Sequence, residues 1–421
     1  MRITSVFKRL CGADNTVVEK ISFEESGILV AHVRPRARAG RRCGRCGARG
    51  PWYDRGEGRR RWRALDLGTV QAFVEADAPR VNCPQHGPTV TLVPWARHGA
   101  GHTRTFDDMV AWLAVHTSKT AVGQLMRIAW RTVGAIVARV SADALAAAGD
   151  RLEGLRRIGI DELSYKKGHR YITCVVDHDT GRLVWAAPGR DTATLHQFFD
   201  ALGPERCAQI THVSADAADW IAAVVAERCP QAVQAMDPFH TVAWATDALD
   251  QVRRDVWNNS RGGKGRATNR SKQIKNLRWV LWRNPEDLSE AQAAKLAWVE
   301  RTHPALHRAW ALKEGLRWMF HLSRQGFPRL AVTALQRWLS WARRSQIPAF
   351  VDLARRIRKH RTRIEASLEH RLSNALLESV NTKLRLLTRQ AFGFHDPYAL
   401  IGLAMLALGG LCPPLPGRAS G

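Results

Sequence analysis

The chain has 421 residues, 45% of them hydrophobic, which is enough to bury a large core and more than one compact unit usually holds, so roughly two to four domains are expected. Its formal net charge of +26 makes the surface repel itself, a penalty most easily understood if the working partner is a polyanion, DNA or RNA. Arginine far outnumbers lysine, as a bidentate phosphate binder would prefer, although a GC-rich coding bias yields the same excess.

The eight cysteines, Cys11, Cys43, Cys46, Cys83, Cys174, Cys207, Cys229 and Cys412, are spread along the chain rather than packed as a disulfide framework, and this points to a reducing cytoplasm. Met1 to Asn15 has too few apolar residues for a secretory segment, so no export signal is expected. One uncharged run, Pro397 to Gly417, approaches membrane length. Its Gly409, Gly410, Pro413, Pro414 and Pro416 leave about fourteen helical positions, short of the roughly 20 needed to span, so it reads as a buried terminal helix with a loose tail and no membrane partner.

In chain order, Arg34 to Arg63 holds twelve arginines among Gly, Pro and Cys, with Trp52, Tyr53 and Trp62 interleaved. Such a stretch needs something other than a hydrophobic core to fix it. Cys43 and Cys46 form one Cys-x-x-Cys pair, and Cys83 and His86 form a second pair with the same gap. Two such knuckles can close one tetrahedral zinc site of structural type, although the 36 residues between them exceed the usual finger spacing. The surrounding arginines, Arg59, Arg60 and Arg61 among them, would then stand on a rigid platform for phosphate contacts.

From Phe106 to about Ala147 the period turns helical, with Val110, Leu113 and Ala114, then Val122, Leu125 and Met126, on one apolar face. Ser118 caps a short helix, Arg127 and Ile128 turn the chain, and a second helix runs on through Val140, with Ala121, Ile128 and Val133 at the crossing. This predicts a helix-turn-helix whose second helix reads DNA through Trp130, Arg131 and Thr132, with an ordinary helical hairpin as the alternative.

Between Ile158 and Gln234 short β-branched runs appear: Ile158–Leu163, Tyr171–Val176 and Leu183–Ala187 as a meander, a helix Thr194–Leu202, a strand Ile210–Ser214, a helix Trp220–Arg228 and a strand Val233–Met236. The order β-β-β-α-β-α-β is that of a ribonuclease-H-like sheet. From Thr241 to about His370 the chain reads as helix, broken at Ser260–Arg270, and it holds nine of the sixteen tryptophans. Trp279, Trp282, Trp310, Trp318, Trp338 and Trp341 are expected in the core, with base stacking the alternative for a minority.

Ile158-Gly159-Ile160-Asp161 is a buried strand that ends on a carboxylate among apolar neighbours, costly unless a cation or partner meets it. Val213-Ser214-Ala215-Asp216 repeats the pattern on the fourth strand, which neighbours the first in this fold. On a later helix Asn374, Glu378, Asn381 and Arg385 share one stripe, opposite Leu377, Val380, Leu384 and Leu387. Three carboxylates suit Mg²⁺ or Mn²⁺, and a two-metal site stabilises both the attacking and the leaving oxygen of a phosphoryl displacement. Asp237 and His240 add an acid and an imidazole near the same edge; for Asp237 a helix N-cap is the alternative.

Taken together these residues resemble the bacterial insertion-sequence transposases of the ISL-three group over nearly the whole chain. The similarity rests on the paired knuckles, the helix-turn-helix, Gly159-Ile160-Asp161-Glu162, Ala235-Met236-Asp237-Pro238-Phe239-His240 leading to Val252-Arg253-Arg254, and Ser373-Asn374 through Glu378, Asn381, Lys383 and Gly393-Phe394. The resemblance implies an α/β, ribonuclease-H-like catalytic core with a helical insertion before the final Glu, and a DDE triad of Asp161, Asp216 and Glu378. It implies metal-dependent cleavage of double-stranded DNA at terminal inverted repeats and transfer of the freed 3′-hydroxyl to target DNA. It also implies a homo-oligomer on DNA in a bacterial, nucleoid-associated setting. Asp237 and His240 match the family's Asp-x-x-His signature, and Asp237 is the rival for the second acid. His86 departs from the pattern, where many relatives use cysteine. The expected division is a zinc module at 1–100, the helix-turn-helix at 101–150, catalytic core at 151–245, a helical insertion at 246–370 and the last catalytic helices at 371–421. A non-catalytic DNA-binding regulator and a metal-dependent nuclease that cuts without joining are the competing readings.

Overall fold

The structure is a computed structural model that describes residues 15–36, 41–262, 266, 268–370 and 375–418; Cys11, Ser373 and Asn374, named above, lie outside them. The chain divides into two compact units, Met1–Gly149 with Leu387–Gly421, and Asp150–Leu386.

The first unit begins with seven strands: β1 (Thr16–Phe23), β2 (Leu29–Pro35), β3 (Trp52–Asp54), β4 (Arg59–Arg63), β5 (Ala72–Asp77), β6 (Arg80–Cys83) and β7 (Gly87–Val90). They make a four-stranded sheet in the order β1-β2-β5-β4 and a three-stranded one in the order β3-β6-β7. The arginine-rich stretch was expected to lack an apolar anchor. It has one, because alternation along β4 turns Trp62 inward, edge-on to Trp95 at 5.5 Å and packed with Val33 and Val74.

Three helices follow, α1 (Arg104–His116), α2 (Lys119–Met126) and α3 (Trp130–Ala147). Ser118 caps α2 by accepting from the Ala121 N–H at 3.2 Å, and Arg127 ends it in the left-handed region at φ 55°. Leu125, expected on the apolar face, is 64% exposed; Val122, Met126 and Val133 fill the contact instead. Asp107 on α1 is wholly buried and is met by Arg139 at 2.9 Å and Arg97 at 3.7 Å, as a buried carboxylate requires. Burial, opposed by these two arginines, pushes its carboxyl up to about 6.

The second unit holds a five-stranded sheet built from β8 (Arg157–Lys166), β9 (Arg170–Asp177), β10 (Leu183–Pro188), β11 (His212–Ala215) and β12 (Val233–Met236), in the order β10-β9-β8-β11-β12. The first three are antiparallel neighbours; β11 runs parallel to both β8 and β12. Helices α4 (Thr192–Leu202), α5 (Pro204–Cys207, a short turn that the sequence pattern did not reveal) and α6 (Asp219–Arg228) supply the connections. Leu195, Phe198 and Phe199 of α4 and Val224 and Val225 of α6 pack with Ile158, Ile160 and Val213 of the sheet in one apolar core.

After β12 the unit is helical: α7 (Pro238–Asn259), α8 (Asn269–Asn276), α9 (Arg278–Trp282), α10 (Glu290–Thr302), α11 (Pro304–Arg324), α12 (Pro328–Arg344), α13 (Pro348–Lys359) and α14 (Arg361–His370). Leu249, Leu312, Leu316, Leu335, Trp338, Phe350 and Ile357 belong to their shared core. Of the tryptophans expected there only Trp338 is fully buried, donating to the Leu312 carbonyl at 2.7 Å; Trp279, Trp318 and Trp341 are 65%, 53% and 39% exposed. Leucines already fill the buried stripe of α11, so Trp318 lies outside it, stacked on His321. The chain continues as α15 (Ala375–Gln390), which begins in this unit, and ends with α16 (Pro397–Leu408). Residues 371–421 were grouped with the catalytic core. The part from Leu387 packs in the first unit instead, where Ser141 on α3 donates to the Gly402 carbonyl at 3.1 Å. Among the described residues no helix is long and apolar enough to cross a membrane.

Candidate metal centres and active site

Cys43, Cys46, Cys83 and His86 come together with all four ligand atoms within 4.8 Å of one another. Cys46 Sγ and Cys83 Sγ are 3.6 Å apart, and His86 Nδ1 stands 3.6 Å from Cys83 Sγ and 3.8 Å from Cys43 Sγ. A tetrahedron with metal–sulfur bonds of about 2.3 Å and a metal–nitrogen bond of about 2.0–2.1 Å has edges of roughly 3.6–3.8 Å, so this soft donor set fits zinc. The turn geometry is local: Gly47 takes φ +71° behind Cys46, and the Gly44 N–H bonds to the Val90 carbonyl at 3.0 Å, which ties the first knuckle to β7.

Arg59, Arg60 and Arg61 are not free side chains. Glu75 on β5 binds Arg59 at 2.8 Å and Arg61 at 2.6 Å, Arg61 also reaches Glu24 at 2.6 Å, and Arg60 donates to the Ala100 carbonyl at 3.0 Å. They brace the sheet through a cross-strand pairing that no local pattern signals. At the start of α3, Trp130 is 54% exposed with Lys119 Nζ 4.6 Å over its ring; Arg131 is exposed and Thr132 half-buried.

In the second unit, sheet register lines up the acids. Ile160 pairs with Ala215, and Ala215 pairs with Met236, so the next residues on three adjacent strands are Asp161, Asp216 and Asp237. Neighbouring strands lie about 4.8 Å apart, which puts Asp216 one strand from Asp161 and Asp237 two. A cavity of about 450 Å³ opens on this edge and is lined by Asp161, Glu162, Asp216, Asp237, His240 and, from α15, Glu378, Asn381 and Arg385. All five side chains expected in an acidic site meet there.

The helix α15 is seated by a close approach. Gly159, two residues before Asp161, has no Cβ where one would stand 2.5 Å from Leu377 Cδ1, and Leu377 precedes Glu378. Leu377, Val380 and Leu384 are buried as the stripe demands. Asn381 donates to Asp161 Oδ2 at 2.5 Å, and the Glu162 N–H donates to Oδ1 at 2.8 Å. Asp216 accepts from the Ala218 N–H at 2.8 Å, and Asp237 caps α7 by accepting from the Phe239 N–H at 3.0 Å.

Burial raises the Asp161 carboxyl, helped by the charge of Asp216 and opposed by the Glu162 N–H and Asn381. Burial also pushes Asp237 up to about 6 and Glu162 up to about 7, the latter with a further push from Asp216. Among the described residues Asp161, Asp216, Asp237 and Glu378 form no ion pair with Lys or Arg; only Glu162 does, with Arg190 at 3.2 Å. A cluster of carboxylates in which Asp161, Asp216, Asp237 and Glu378 have no Lys or Arg counter-ion among the described residues fits a hard divalent metal. Arg190 escaped the sequence reading. It follows Gly189 at the end of β10, lies over the Tyr171 ring at 4.9 Å and lines the cavity, and nothing in its local sequence marks it.

A family model described as transposase matches residues 158–402, one described as the helix-turn-helix domain of transposase family ISL3 matches 92–141, and one described as the zinc-finger of transposase IS204/IS1001/IS1096/IS1165 matches 39–86. The chain is 60% identical to the transposase for insertion sequence element IS1557 of Mycobacterium tuberculosis over 441 residues, covering 99% of this chain and 98% of that one. It is 28% identical over 384 residues to the transposase for insertion sequence element IS1001 of Bordetella parapertussis, covering 90% and 92% of the two chains. From the zinc ribbon through the helix-turn-helix to the acid-bearing sheet, the chain belongs to the ISL3 family of insertion-sequence transposases.

Proposed function

We propose that the chain is a DDE-type transposase with a ribonuclease-H-like core and a helical insertion, acting as a homo-oligomer on double-stranded DNA in the bacterial cytoplasm, at the nucleoid. In this reading residues 1–100 form the zinc module, 101–150 the helix-turn-helix, 151–245 and 371–386 the catalytic parts and 246–370 the insertion. It binds the terminal inverted repeats of its own element, cleaves phosphodiester bonds there and joins the 3′ ends to target DNA. The observation that carries the reading is the convergence of Asp161, Asp216 and Glu378, from two adjacent parallel strands and a helix far along the chain, on one cavity.

Asp161, Asp216 and Glu378 would hold Mg²⁺ or Mn²⁺, which supplies activation of the attacking oxygen and charge neutralisation at the leaving one. Asn381 holds the Asp161 carboxylate in one orientation through its amide. Asp237 and His240 flank the triad on the cavity wall, Asp237 fixing the start of α7. Arg190 and Arg385 put guanidinium groups on the cavity wall, where a phosphate can be received bidentately. Zinc at Cys43, Cys46, Cys83 and His86 has a structural role, since four protein ligands leave no open position.

The test is an assay of full-length protein on its own element ends with a target plasmid and Mg²⁺. Joined products that disappear in Asp161→Asn and Glu378→Gln support the reading. Cleavage without joining moves the chain to the nuclease class, and binding without cleavage moves it to the regulator class.

A further inference from the structure

The last turn of α13 and the first of α14 concentrate cations. Arg355, Arg356, Arg358, Lys359, Arg361 and Arg363 fall within nine positions, against three carboxylates that touch them: Asp352 on Arg355, Glu365 on Arg361, and Asp219 shared by Lys359 and Arg363. Arg355, Arg358 and Lys359 project from one face, three and four residues apart, while Phe350, Leu353, Ala354 and Ile357 bury the other. Arg355 and Lys359 side chains are 73% and 65% exposed, and Arg358 is exposed with no ion-pair partner among the described residues. Arg356 lies flat on Trp244 of α7, 3.6 Å from the ring centroid, which stiffens the ridge from beneath.

The ridge is tied to the acid-bearing edge of the sheet at two points. Lys359 and Arg363 hold Asp219 at 2.7 and 3.1 Å, three residues after Asp216. Ser367 on α14 donates to the carbonyl of Met236, the residue before Asp237. Lys359, at one end of the ridge, is thereby fixed to Asp219 on the segment that follows Asp216. An isolated solvated helix face would balance its signs; this one does not.

We propose that the ridge formed by Arg355, Arg358 and Lys359 is a phosphate-binding track for the duplex DNA that adjoins the strand held in the acid cavity, separate from the helix-turn-helix that reads sequence. The inference rests on the reading of the cavity as a DNA-processing site. A track of this kind contacts backbone alone, so it adds affinity and alignment without preference for base sequence.

The experiment compares full-length wild type with Arg355→Gln/Arg358→Gln by binding to a fluorescent element-end duplex and a random duplex of equal length, over 50–200 mM KCl. Each lost phosphate contact flattens the slope of log affinity against log salt by about 0.9, so the double variant should be shallower by about 2 and lose about tenfold more affinity at 50 mM than at 200 mM. The loss should be equal for the two duplexes, with unchanged thermal melting. An unaltered slope overturns the ridge, as does a loss confined to the element end. If neither protein cleaves, the cavity reading fails while the slope still decides the ridge. Should the double variant melt early, Arg358→Gln alone, which breaks no ion pair, carries the same test with a slope change of about 0.9.

Discussion

The zinc ribbon and the acid cavity are both candidate metal sites, and they are built in opposite ways. The ribbon takes its ligands from two short knuckles, closes all four positions around one point and holds the donors at tetrahedral spacing. The cavity draws its candidate ligands from two strands and a helix more than a hundred residues later and stays open, with burial raising the carboxyls of Asp161 and neighbouring Asp237. A closed set of soft donors makes structure; an open set of hard donors keeps room for a substrate. The contrast predicts that damage to the first should appear as lost folding and damage to the second as lost chemistry with folding intact.

The largest effect is expected at the ribbon. Structural zinc contributes on the order of 10 kcal/mol of apparent folding free energy in small modules, so Cys43→Ser or prolonged chelation should melt the N-terminal sheets and abolish DNA binding. Limited proteolysis and zinc content check this, and a chelated protein that keeps its protease resistance breaks the comparison. At the cavity, Asp216→Ala should lower cleavage about 10³-fold or more, roughly 4 kcal/mol of barrier, with melting unchanged. Asp237→Ala should do less to chemistry and cost about 1 kcal/mol of stability, because it removes the cap of α7. Retained cleavage in Asp216→Ala would transfer the second acid to Asp237.

A smaller effect tests how α15 is held. Gly159→Ala places a methyl against Leu377 and should cost about 1–3 kcal/mol. Adding Leu377→Ala should return much of the lost cleavage, a coupling that independent sites would not show. A comparable effect is expected at the helix-turn-helix, where Arg131→Ala should remove about 1–3 kcal/mol of discrimination between element ends and random duplex while leaving affinity for random duplex in place. Intact discrimination would locate sequence reading elsewhere. Arg59, Arg60 and Arg61 are poor probes of DNA contact, since their replacement also unpairs Glu75 and Glu24.

Much of this was legible in the sequence where signals are local or periodic. Buried β-branched runs marked β8, β9 and β12 to within a few residues, the knuckle spacing marked the zinc ligands, and the two stripes of α15 marked both its buried face and Glu378. What was not legible depends on pairing at a distance. Glu75 neutralising Arg59 and Arg61, Arg190 reaching Glu162, and Gly402 meeting Ser141 all join segments whose own sequences are silent about each other. The exposed tryptophans show a further limit: helical spacing says that a residue has a face but not whether leucines already occupy the buried one.

The account stands on the claim that Asp161, Asp216 and Glu378 form one divalent-metal site. The most direct measurement is Mn²⁺ binding to zinc-loaded, full-length protein on an uncleavable element-end duplex, read by electron paramagnetic resonance in wild type, Asp161→Asn and Glu378→Gln. The account predicts about two bound Mn²⁺ with the dipolar coupling of ions roughly 3.5–4 Å apart, lost in both variants while zinc content and DNA binding persist. Coupled Mn²⁺ that survives Glu378→Gln would contradict it.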